Sequence, residues 1–307
     1  MAHKQTPDLH LVPLDTEGIW NRPLLENAAA LSGAECVYAV SAAAVSGTQG
    51  IPSSESPAPL KDVLKRFSRV LACECARDSV SIYDFPAPRE KTALLVGNEE
   101  KGIPRSVLKK TDSIISIPMV GEGMSSVNVA VAAAITLYAL SKDLGRGKRS
   151  KSHLTHRKVD VLIHAPDDPH ELGSLLRSAW SFGWKRIYLS DPNGVWFTQD
   201  PKTMLDSRAA ARRYKNPLAV LPADRLDASS YEGFLCCSGQ RQGSSLSRLR
   251  LPVCGKLLIE YGGGSESRIP EDRADHVFVD YTNTTTQPRF RHSGSILLSV
   301  ISEMLGG

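Results

Sequence analysis

Two turns bearing glycine, serine and asparagine follow apolar runs in the first half of the chain. Residues 93–104 read ALLVGNEEKGIP, an apolar run that ends at the polar turn Gly97–Gly102. A second apolar run ends at Pro118, and the loop after it opens a long helix of small residues. Turns after buried strands lie at the sheet edge where α/β proteins bind ligands. Their glycines let main-chain N–H and C=O groups approach a ligand, as recognition of an adenine ring requires. Ordinary strand-to-helix turns are the alternative.

The first turn does not match the common phosphate-binding motifs. Gly97 and Gly102 have G-x-x-x-x-G spacing, but Ile103 follows instead of Lys and Ser or Thr. The pattern G-x-G-x-x-G is also not matched. In the second loop, Ser126 and Asn128 open the helix, where free N–H groups and side-chain oxygens can hold polar ligand atoms. The same two residues are compatible with plain helix capping.

An internal repeat shows which elements position these turns. Residues 11–40 and 161–190 align without a gap at an offset of 150. In each, an apolar strand leads through an acidic loop to a helix and then to a second strand. A strand–helix–strand unit favours a parallel sheet with crossover helices. The predicted strands are Leu11–Leu14 and Cys36–Val40 in the first copy, and Val161–His164 and Arg186–Ser190 in the second.

The later parts of the two halves also correspond. Buried strands are predicted at Ala93–Val96 and Lys256–Ile259, followed by shorter ones at 114–117 and 277–279, and each half closes with an apolar helix. The closing helices are predicted at Val127–Leu140 and Ser293–Leu305. We therefore predict two α/β domains that arose by duplication, at residues 1–145 and 159–307, with a basic linker at 146–158.

The composition excludes several classes of protein. The chain has 307 residues, 41% hydrophobic and 23% charged, with a net charge of +4, as expected for a globular protein. No apolar run approaches the ~20 residues of a membrane span, and no signal-peptide pattern is present, so we expect a cytoplasmic protein without a membrane partner. The six cysteines lack C-x-x-C spacing. No metal is expected, because neither they nor the histidines have ligand spacing; those histidines are His164, His170, His276 and His292.

The residues around the two turns resemble a known family. LLVGNEEKGIP followed by ISIPMVGEGMSSVNVAVAAA is similar to motifs 2 and 3 of the SpoU-type (TrmH-like) RNA 2′-O-ribose methyltransferases of the SPOUT superfamily. The match includes the strand-GNE-x-KG turn, the ISIPM strand and the S-x-N pair. The resemblance implies parallel-sheet α/β domains with a deep trefoil knot. It also implies S-adenosyl-L-methionine as cofactor and active sites that straddle a dimer interface.

Carried over to this chain, the resemblance implies a set of site residues. Main-chain groups at Gly97 and around Pro118 would hold the cofactor, Glu99 would organise the loop, and Ser126 and Asn128 would open the last helix. The complete predicted cofactor set is Leu95, Gly97, Asn98, Glu99, Gly102, Ile117, Pro118, Met119, Ser126, Val127 and Asn128. The predicted catalytic set is Arg177, Ser126, Asn128 and Glu99.

The chain departs from the family in motif 1, N-x-x-x-x-x-R on the first helix. The first half has Asn21 at the Asn position but Asn27 at the Arg position. The second half has Arg177 at the Arg position but Glu171 at the Asn position, and its cofactor loops are degenerate. We therefore predict two tandem domains packed as an intramolecular pseudo-dimer, and a monomer. One composite site would combine the cofactor loops of the first domain with Arg177 of the second. Glu171 could pair with Arg177.

RNA is the predicted macromolecular partner. The basic stretch 141–158 and the cluster Asp206–Lys215 can contact a phosphate backbone, although a solvated linker is the alternative for the first. Arg289 and Arg291 lie in the degenerate loop and are further candidates. The predicted RNA contacts are Arg146, Lys148, Arg149, Arg208, Arg212, Arg213, Arg289 and Arg291.

The sequence therefore predicts an S-adenosylmethionine-dependent RNA methyltransferase that modifies a ribose 2′-hydroxyl of tRNA or rRNA. A non-catalytic RNA-binding or assembly protein on the same scaffold is the second hypothesis. Methylation of a base is the third, and the S-x-N pair favours ribose.

Overall fold

The chain folds into two compact units, each built on a parallel sheet. The structure, a computed structural model, describes residues 7–16, 20–41, 57–120, 126–145, 158–197, 201–212, 216–237, 239, 241–252, 254–263, 267 and 269–306. Unit 1 comprises residues 1–118, 128–148 and 281–288, and unit 2 comprises residues 119–127, 149–280 and 289–307. Residues 281–288 thus belong to unit 1 although the chain around them belongs to unit 2, and the reverse holds for residues 119–127.

Unit 1 contains a six-stranded sheet and a separate pair of short strands. The sheet has the order β2-β1-β7-β5-β8-β6 and all its pairings are parallel, as are those of the pair β3-β4. The strands are β1 (Leu9–Pro13), β2 (Glu35–Cys36), β3 (Ala39–Val40), β4 (Ala58–Pro59), β5 (Arg69–Cys73), β6 (Val80–Ser81), β7 (Thr92–Val96) and β8 (Ser113–Ser116). The helices are α1 (Asn21–Ser32), α2 (Leu60–Leu64), α3 (Arg105–Leu108) and α4 (Val129–Ser141).

Unit 2 contains a seven-stranded sheet of order β11-β10-β9-β14-β12-β15-β13, again parallel throughout. The strands are β9 (Lys158–His164), β10 (Arg186–Ser190), β11 (Ala219–Pro222), β12 (Gly233–Cys237), β13 (Ser244–Ser245), β14 (Lys256–Tyr261) and β15 (Ala274–Phe278). The α-helices are α5 (Pro169–Ser181), α6 (Pro201–Arg212) and α7 (Phe290–Met304). Single 3₁₀ turns occur at Ala223–Arg225, Ala228–Ser230, Leu246–Arg248 and Glu271–Arg273.

The two sheets have the same strand order, apart from the extra edge strand β11. The register agrees as well, because Leu11 pairs with Leu94 in unit 1 and Val161, 150 residues later than Leu11, pairs with Ile259 in unit 2. The α/β fold with parallel sheets that the sequence predicts is confirmed. Two predicted strands are wrong in detail, since the one expected at 277–279 is β15 (Ala274–Phe278). The strand expected at Cys36–Val40 is two short strands, and β3 leaves the sheet to pair with β4.

The helices follow from their sequences. Helix α4 is apolar along almost its whole length, and ten of its residues are buried, which suits a helix enclosed by the fold. Asn128 caps it, because its side chain accepts a hydrogen bond from the N–H of Ala130. Helix α5 is capped in the same way by Asp168 and has Pro169 in its first turn. Among the described residues, no helix is long and apolar enough to span a bilayer.

Candidate functional site

The turn after β7 is tightly constructed around Gly97 and Asn98. A Cβ at Gly97 would lie 2.3 Å from the carbonyl carbon of Gly102, so only glycine fits. The side chain of Asn98 is buried and accepts hydrogen bonds from the N–H groups of Glu100 (2.9 Å) and Lys101 (3.2 Å). Its amide nitrogen donates to the carbonyl of Asp15 at 2.7 Å. These bonds fix the turn to the end of β1.

Glu74 is a second support for this turn, and no motif in the sequence indicates it. Its carboxylate, just after β5, accepts a hydrogen bond from the N–H of Ile103 at 2.8 Å. Gly102 has a φ of +63°, and a Cβ there would lie 2.6 Å from the Glu74 carboxylate. The N–H groups of Asn98 and Gly102 bond across the turn to each other's carbonyl oxygens. Because so many N–H groups are used internally, main-chain carbonyl oxygens are the groups best suited to receive a ligand's donors.

Asn21 connects this turn to the start of helix α4. Its side-chain nitrogen donates to the carboxylate of Glu99, and its side-chain oxygen accepts from the amide of Asn128 at 3.1 Å. Glu99 and Asn128, which the sequence places far apart, are therefore brought together in unit 1 by Asn21. Asn21, the first-helix Asn of the motif 1 pattern, thus connects the turn with the start of helix α4.

In unit 2, Arg177 of helix α5 holds the segment 119–127. Its Nε donates to the carbonyl oxygen of Ser126 at 2.8 Å, and its Nη2 contacts the Ser126 hydroxyl. Ser181, one turn later, also donates to this carbonyl, at 3.1 Å. The N–H of Val120 donates to the carbonyl of Ser181 at 3.1 Å. The two predicted catalytic residues Arg177 and Ser126 are thus in direct contact.

Unit 1 has equivalent contacts at the corresponding positions of helix α1. Asn27, which corresponds to Arg177, donates from its side chain to the carbonyl of Gln287 at 2.9 Å. Leu31, which corresponds to Ser181, accepts from the N–H of Asn283 at 3.0 Å. Each unit therefore uses the same face of its first helix to hold a short segment, 281–288 in unit 1 and 119–127 in unit 2.

The remaining predicted cofactor residues are divided between the two units. Leu95 and Ile117 have buried side chains, so only their main chains can face a ligand. Pro118 ends the first segment of unit 1, whereas Met119 and Val127 belong to unit 2, and all three are partly buried. The residues 121–125 between Val120 and Ser126 lie outside the described part of the chain.

The corresponding edge of unit 2 is filled by its own side chains. The ring of Phe290 packs on Tyr261 with centroids 4.6 Å apart, and the Tyr261 hydroxyl donates to the Phe290 carbonyl at 2.7 Å. A Cβ at Gly262, the counterpart of Gly97, would lie 3.0 Å from that ring. The position that follows the central strand is therefore occupied by an aromatic ring.

A buried ion pair replaces the Asn21–Asn128 contact in unit 2. Glu171, at the position of Asn21, accepts from the N–H of Arg291 at 2.8 Å, and its other oxygen lies 2.9 Å from the Arg291 Nε. The Nε–H is not aligned with that oxygen, so the main-chain bond is the better hydrogen bond and the guanidinium acts mainly as a counter-charge. The Glu171 carboxylate, for which the sequence suggested Arg177 as partner, thus pairs with Arg291. Burial, with the charges of Arg291 and Arg289, lowers the pKa of His292 to about 3, so this histidine is neutral.

Unit 2 also has a buried polar cluster where unit 1 is apolar. His164 and Glu260 lie 2.8 Å apart, and the Cys236 thiol donates to Glu260 at 3.4 Å. In the register of the unit 1 sheet, the positions that correspond to His164, Glu260 and Cys236 are taken by Leu14, Leu95 and Ala72, which are core residues. Burial raises the pKa of the Cys236 thiol to about 12, so it stays protonated. No group of acidic, histidine and cysteine side chains suited to a metal occurs among the described residues.

The predicted RNA contacts have varied environments. Arg208 is partly buried and donates to the carbonyl of Trp196 at 3.3 Å, while Arg289 is exposed at the start of α7. Arg291 is buried against Glu171. The side chain of Arg212, and the residues Arg146, Lys148, Arg149 and Arg213, lie outside the described part of the chain.

Comparison with known protein families gives a match in the first half of the chain. Residues 27–138, which include the turn, strand β8 and helix α4, match the SpoU rRNA Methylase family. Unit 1 contains a SpoU methylase domain. The SpoU match ends within helix α4, and unit 2 carries the counterpart described above.

Curated relatives match the chain over a short stretch. The chain is 49% identical over 51 residues to the 23S rRNA (guanosine(2553)-2′-O)-methyltransferase RlmP of Bacillus subtilis (strain 168), which is 17% of this chain and 20% of that protein. It is 44% identical over 50 residues to an uncharacterized tRNA/rRNA methyltransferase of Archaeoglobus fulgidus, which is 16% of this chain and 22% of that one. The chain thus spans about a fifth of the length of these relatives.

Solved structures show weaker overall similarity. An AdoMet-bound rRNA methyltransferase from Sinorhizobium meliloti matches with a TM-score of 0.37 and 20% identity, over 45% of this chain and 57% of that one. A probable methylase family protein from Haemophilus influenzae Rd KW20 matches with a TM-score of 0.37 and 14% identity, over 69% of this chain and 90% of that one.

Proposed function

We propose that the chain is an S-adenosylmethionine-dependent RNA methyltransferase that modifies a ribose 2′-hydroxyl of tRNA or rRNA. Its methyl donor is bound by the SpoU domain of unit 1, and Arg177 completes a single composite site. The contact between Arg177 and Ser126 carries this proposal. It attaches the motif 1 arginine, which the first half lacks, to Ser126, two residues before Asn128 in the chain.

The residues of unit 1 fit a methyl donor with an adenine ring, ribose hydroxyls and an amino acid group. The closely packed glycines of the Gly97–Gly102 turn allow main-chain carbonyls to accept hydrogen bonds from the adenine amino group and the hydroxyls. Asn21, Glu99 and Asn128 form a fixed polar set beside that turn. The second unit does not fit such a donor, because Phe290 covers Gly262 and Arg291 is tied to Glu171. This difference supports one cofactor for each chain.

The chemistry requires the ribose oxygen to lose its proton while it attacks. A bond from the 2′-oxygen to the methyl carbon would form as the bond from that carbon to the donor sulfur breaks, and the hydroxyl proton would pass to water. A guanidinium is cationic at physiological pH, so Arg177 is suited to hold the adjacent phosphate and to stabilise the charge on the attacking oxygen. Its Nε edge is fixed by the Ser126 carbonyl, which orients the plane without reorganisation during the reaction.

The proposal extends to the fold and the assembly. The knotted path of the family is proposed for each unit. The shared strand order, and the equivalent contacts of Asn27 and Arg177, support a chain that supplies both halves of a family dimer and acts as a monomer. Sedimentation equilibrium of the full chain tests this, and a stable homodimer would contradict it.

Calorimetry and site mapping test the function. Titration with S-adenosylmethionine is expected to give one binding event per chain. Mapping of 2′-O-methyl positions in total RNA from cells with and without the protein should then identify the nucleotide. Absence of cofactor binding would favour the non-catalytic RNA-binding protein. A protein-dependent methylated base, with no change at any ribose, would favour the base methyltransferase.

A further inference from the structure

Trp20 is a large aromatic side chain that the fold leaves in solvent. It is 83% exposed, the highest value among the large hydrophobic residues of the described chain, ahead of Leu205 at 67%. No hydrogen bond, ion pair or ring contact of Trp20 occurs in the part of the chain that the structure describes. The indole therefore contributes nothing to the core of unit 1.

Helix capping does not explain this residue either. Trp20 occupies the N-cap position of α1 and makes no side-chain capping bond. Indole has no acceptor in its plane, and the residues preferred at this position are Ser, Thr, Asp and Asn. Helix α5 of unit 2 has such a residue, Asp168, which accepts from two N–H groups. A tryptophan at the start of α1 thus gains nothing from local structure.

The position of Trp20 connects it with the candidate site. Its chain neighbour is Asn21, whose side chain bonds to both Glu99 and Asn128. Consecutive Cα atoms are about 3.8 Å apart, so the main chain of Trp20 lies next to the residue that connects this polar set. On the other side of Asn21, the guanidinium of Arg22 lies over the ring of Tyr38 at 4.3 Å from its centroid. The same guanidinium lies 3.2 Å from a carboxylate oxygen of Glu26, so the surface at the start of α1 combines an unpartnered indole with an arginine in an exposed ion pair.

Single-stranded RNA is the partner that this combination fits. Unstacked bases of loops and ends are recognised by stacking on aromatic side chains and by contacts of their phosphates with arginine. We propose that Trp20 is a stacking platform for a base of the RNA substrate, at or next to the nucleotide whose ribose enters the site. This inference rests on the proposed function, since it identifies single-stranded RNA as the substrate of that same site.

Substitutions separate stacking from simple apolar contact. Trp20→Phe keeps an aromatic face, Trp20→Leu keeps only apolar volume, and Trp20→Ala removes both. Leu205→Ala is the matched control, because it removes another exposed apolar side chain, from helix α6 of unit 2. The probe is a short fluorescein-labelled single-stranded RNA of mixed sequence, and fluorescence anisotropy of the full chain gives its dissociation constant.

We expect Trp20→Ala and Trp20→Leu to weaken binding by about tenfold, Trp20→Phe to retain most of the affinity, and Leu205→Ala to bind like the parent. The slope of affinity against salt concentration should not change, because no charge is removed. Equal binding by the parent and Trp20→Ala would overturn the proposal. A change confined to sedimentation behaviour would overturn it as well and would assign the indole to a second copy of the chain.

Cofactor titration distinguishes this inference from the proposed function. Trp20→Ala is expected to bind S-adenosylmethionine as the parent does, because the indole is not among the residues proposed to hold the cofactor. If the parent binds the cofactor and methylates RNA while Trp20→Ala is unaffected in RNA binding, only the stacking proposal fails. If Trp20→Ala loses RNA binding but the parent shows neither cofactor binding nor methyl transfer, only the proposed function fails.

Discussion

Arg177 donates from Nε to the main-chain carbonyl oxygen of Ser126 at 2.8 Å. The acceptor is a backbone atom, so the contact does not depend on the serine side chain. Ser181 donates to the same oxygen, which therefore retains a partner if Arg177 is removed. The arginine can be tested without leaving a buried carbonyl unsatisfied.

Arg177→Ala and Arg177→Lys are expected to lose most of the methyl transfer. Removal of one donor that stabilises developing charge lowers kcat by about 10²–10³-fold in enzymes, whereas the cofactor groups of unit 1 are untouched. Transfer of labelled methyl from S-adenosylmethionine to RNA and calorimetry of cofactor binding are the measurements. Arg225→Ala, which removes an exposed arginine from a 3₁₀ turn of unit 2, is the control. Full turnover by the Arg177 variants would refute the composite site.

Gly97→Ala is expected to weaken cofactor binding by about tenfold or more. The added methyl group would lie 2.3 Å from one backbone atom and 2.6 Å from another, so the turn must move at a cost of about 1–3 kcal/mol. The matched control is Gly239→Ala, because a Cβ there meets nothing within 4 Å. Calorimetry gives the affinity and circular dichroism checks the fold. If the two variants bound equally well, the turn would not be part of the cofactor site.

Glu171→Ala is expected to destabilise the chain by about 3–5 kcal/mol, because it leaves the buried Arg291 charge without its partner. Glu171→Gln should cost less, since the amide oxygen can still accept from the Arg291 N–H. Urea unfolding followed by fluorescence measures the difference. Glu26→Ala breaks the exposed pair with Arg22 and should cost less than about 1 kcal/mol. Similar losses for the two alanine variants would show that the buried pair is not a main support.

His292 should make stability depend on pH on the acid side. Its pKa is near 6.5 when unfolded and about 3 when folded, so between these values the unfolded chain binds the extra proton. Stability from this group is therefore fully present above pH 6.5 and is lost as the pH falls towards 3, by at most about 1.4 kcal/mol per pH unit. His292→Asn should reduce this slope in urea unfolding at a series of pH values. An unchanged slope in His292→Asn would contradict this account.

The sequence predicted the sheets better than it predicted the connections. The repeat at 150 residues placed Leu11 and Val161 at the same register, because alternation of apolar strands and helices determines sheet neighbours locally. The support of the turn by Glu74 was missed, since that contact joins residues 29 positions apart and has no motif. The pairing of Glu171 with Arg291, 120 residues away, was missed for the same reason. The roles assigned to the cofactor residues remain predictions.

Because residues 119–127 belong to unit 2 and residues 281–288 to unit 1, the two units are completed at different stages of synthesis. Asn27 of unit 1 bonds to Gln287, which is synthesised 260 residues later, and Leu31 bonds to the nearby Asn283. Unit 2, by contrast, receives Ser126 from a part of the chain that is made before its own first strand. The half that carries the SpoU domain is therefore finished only after residues 281–288 have been made, so a truncated product that ends before residue 281 would lack a complete unit 1.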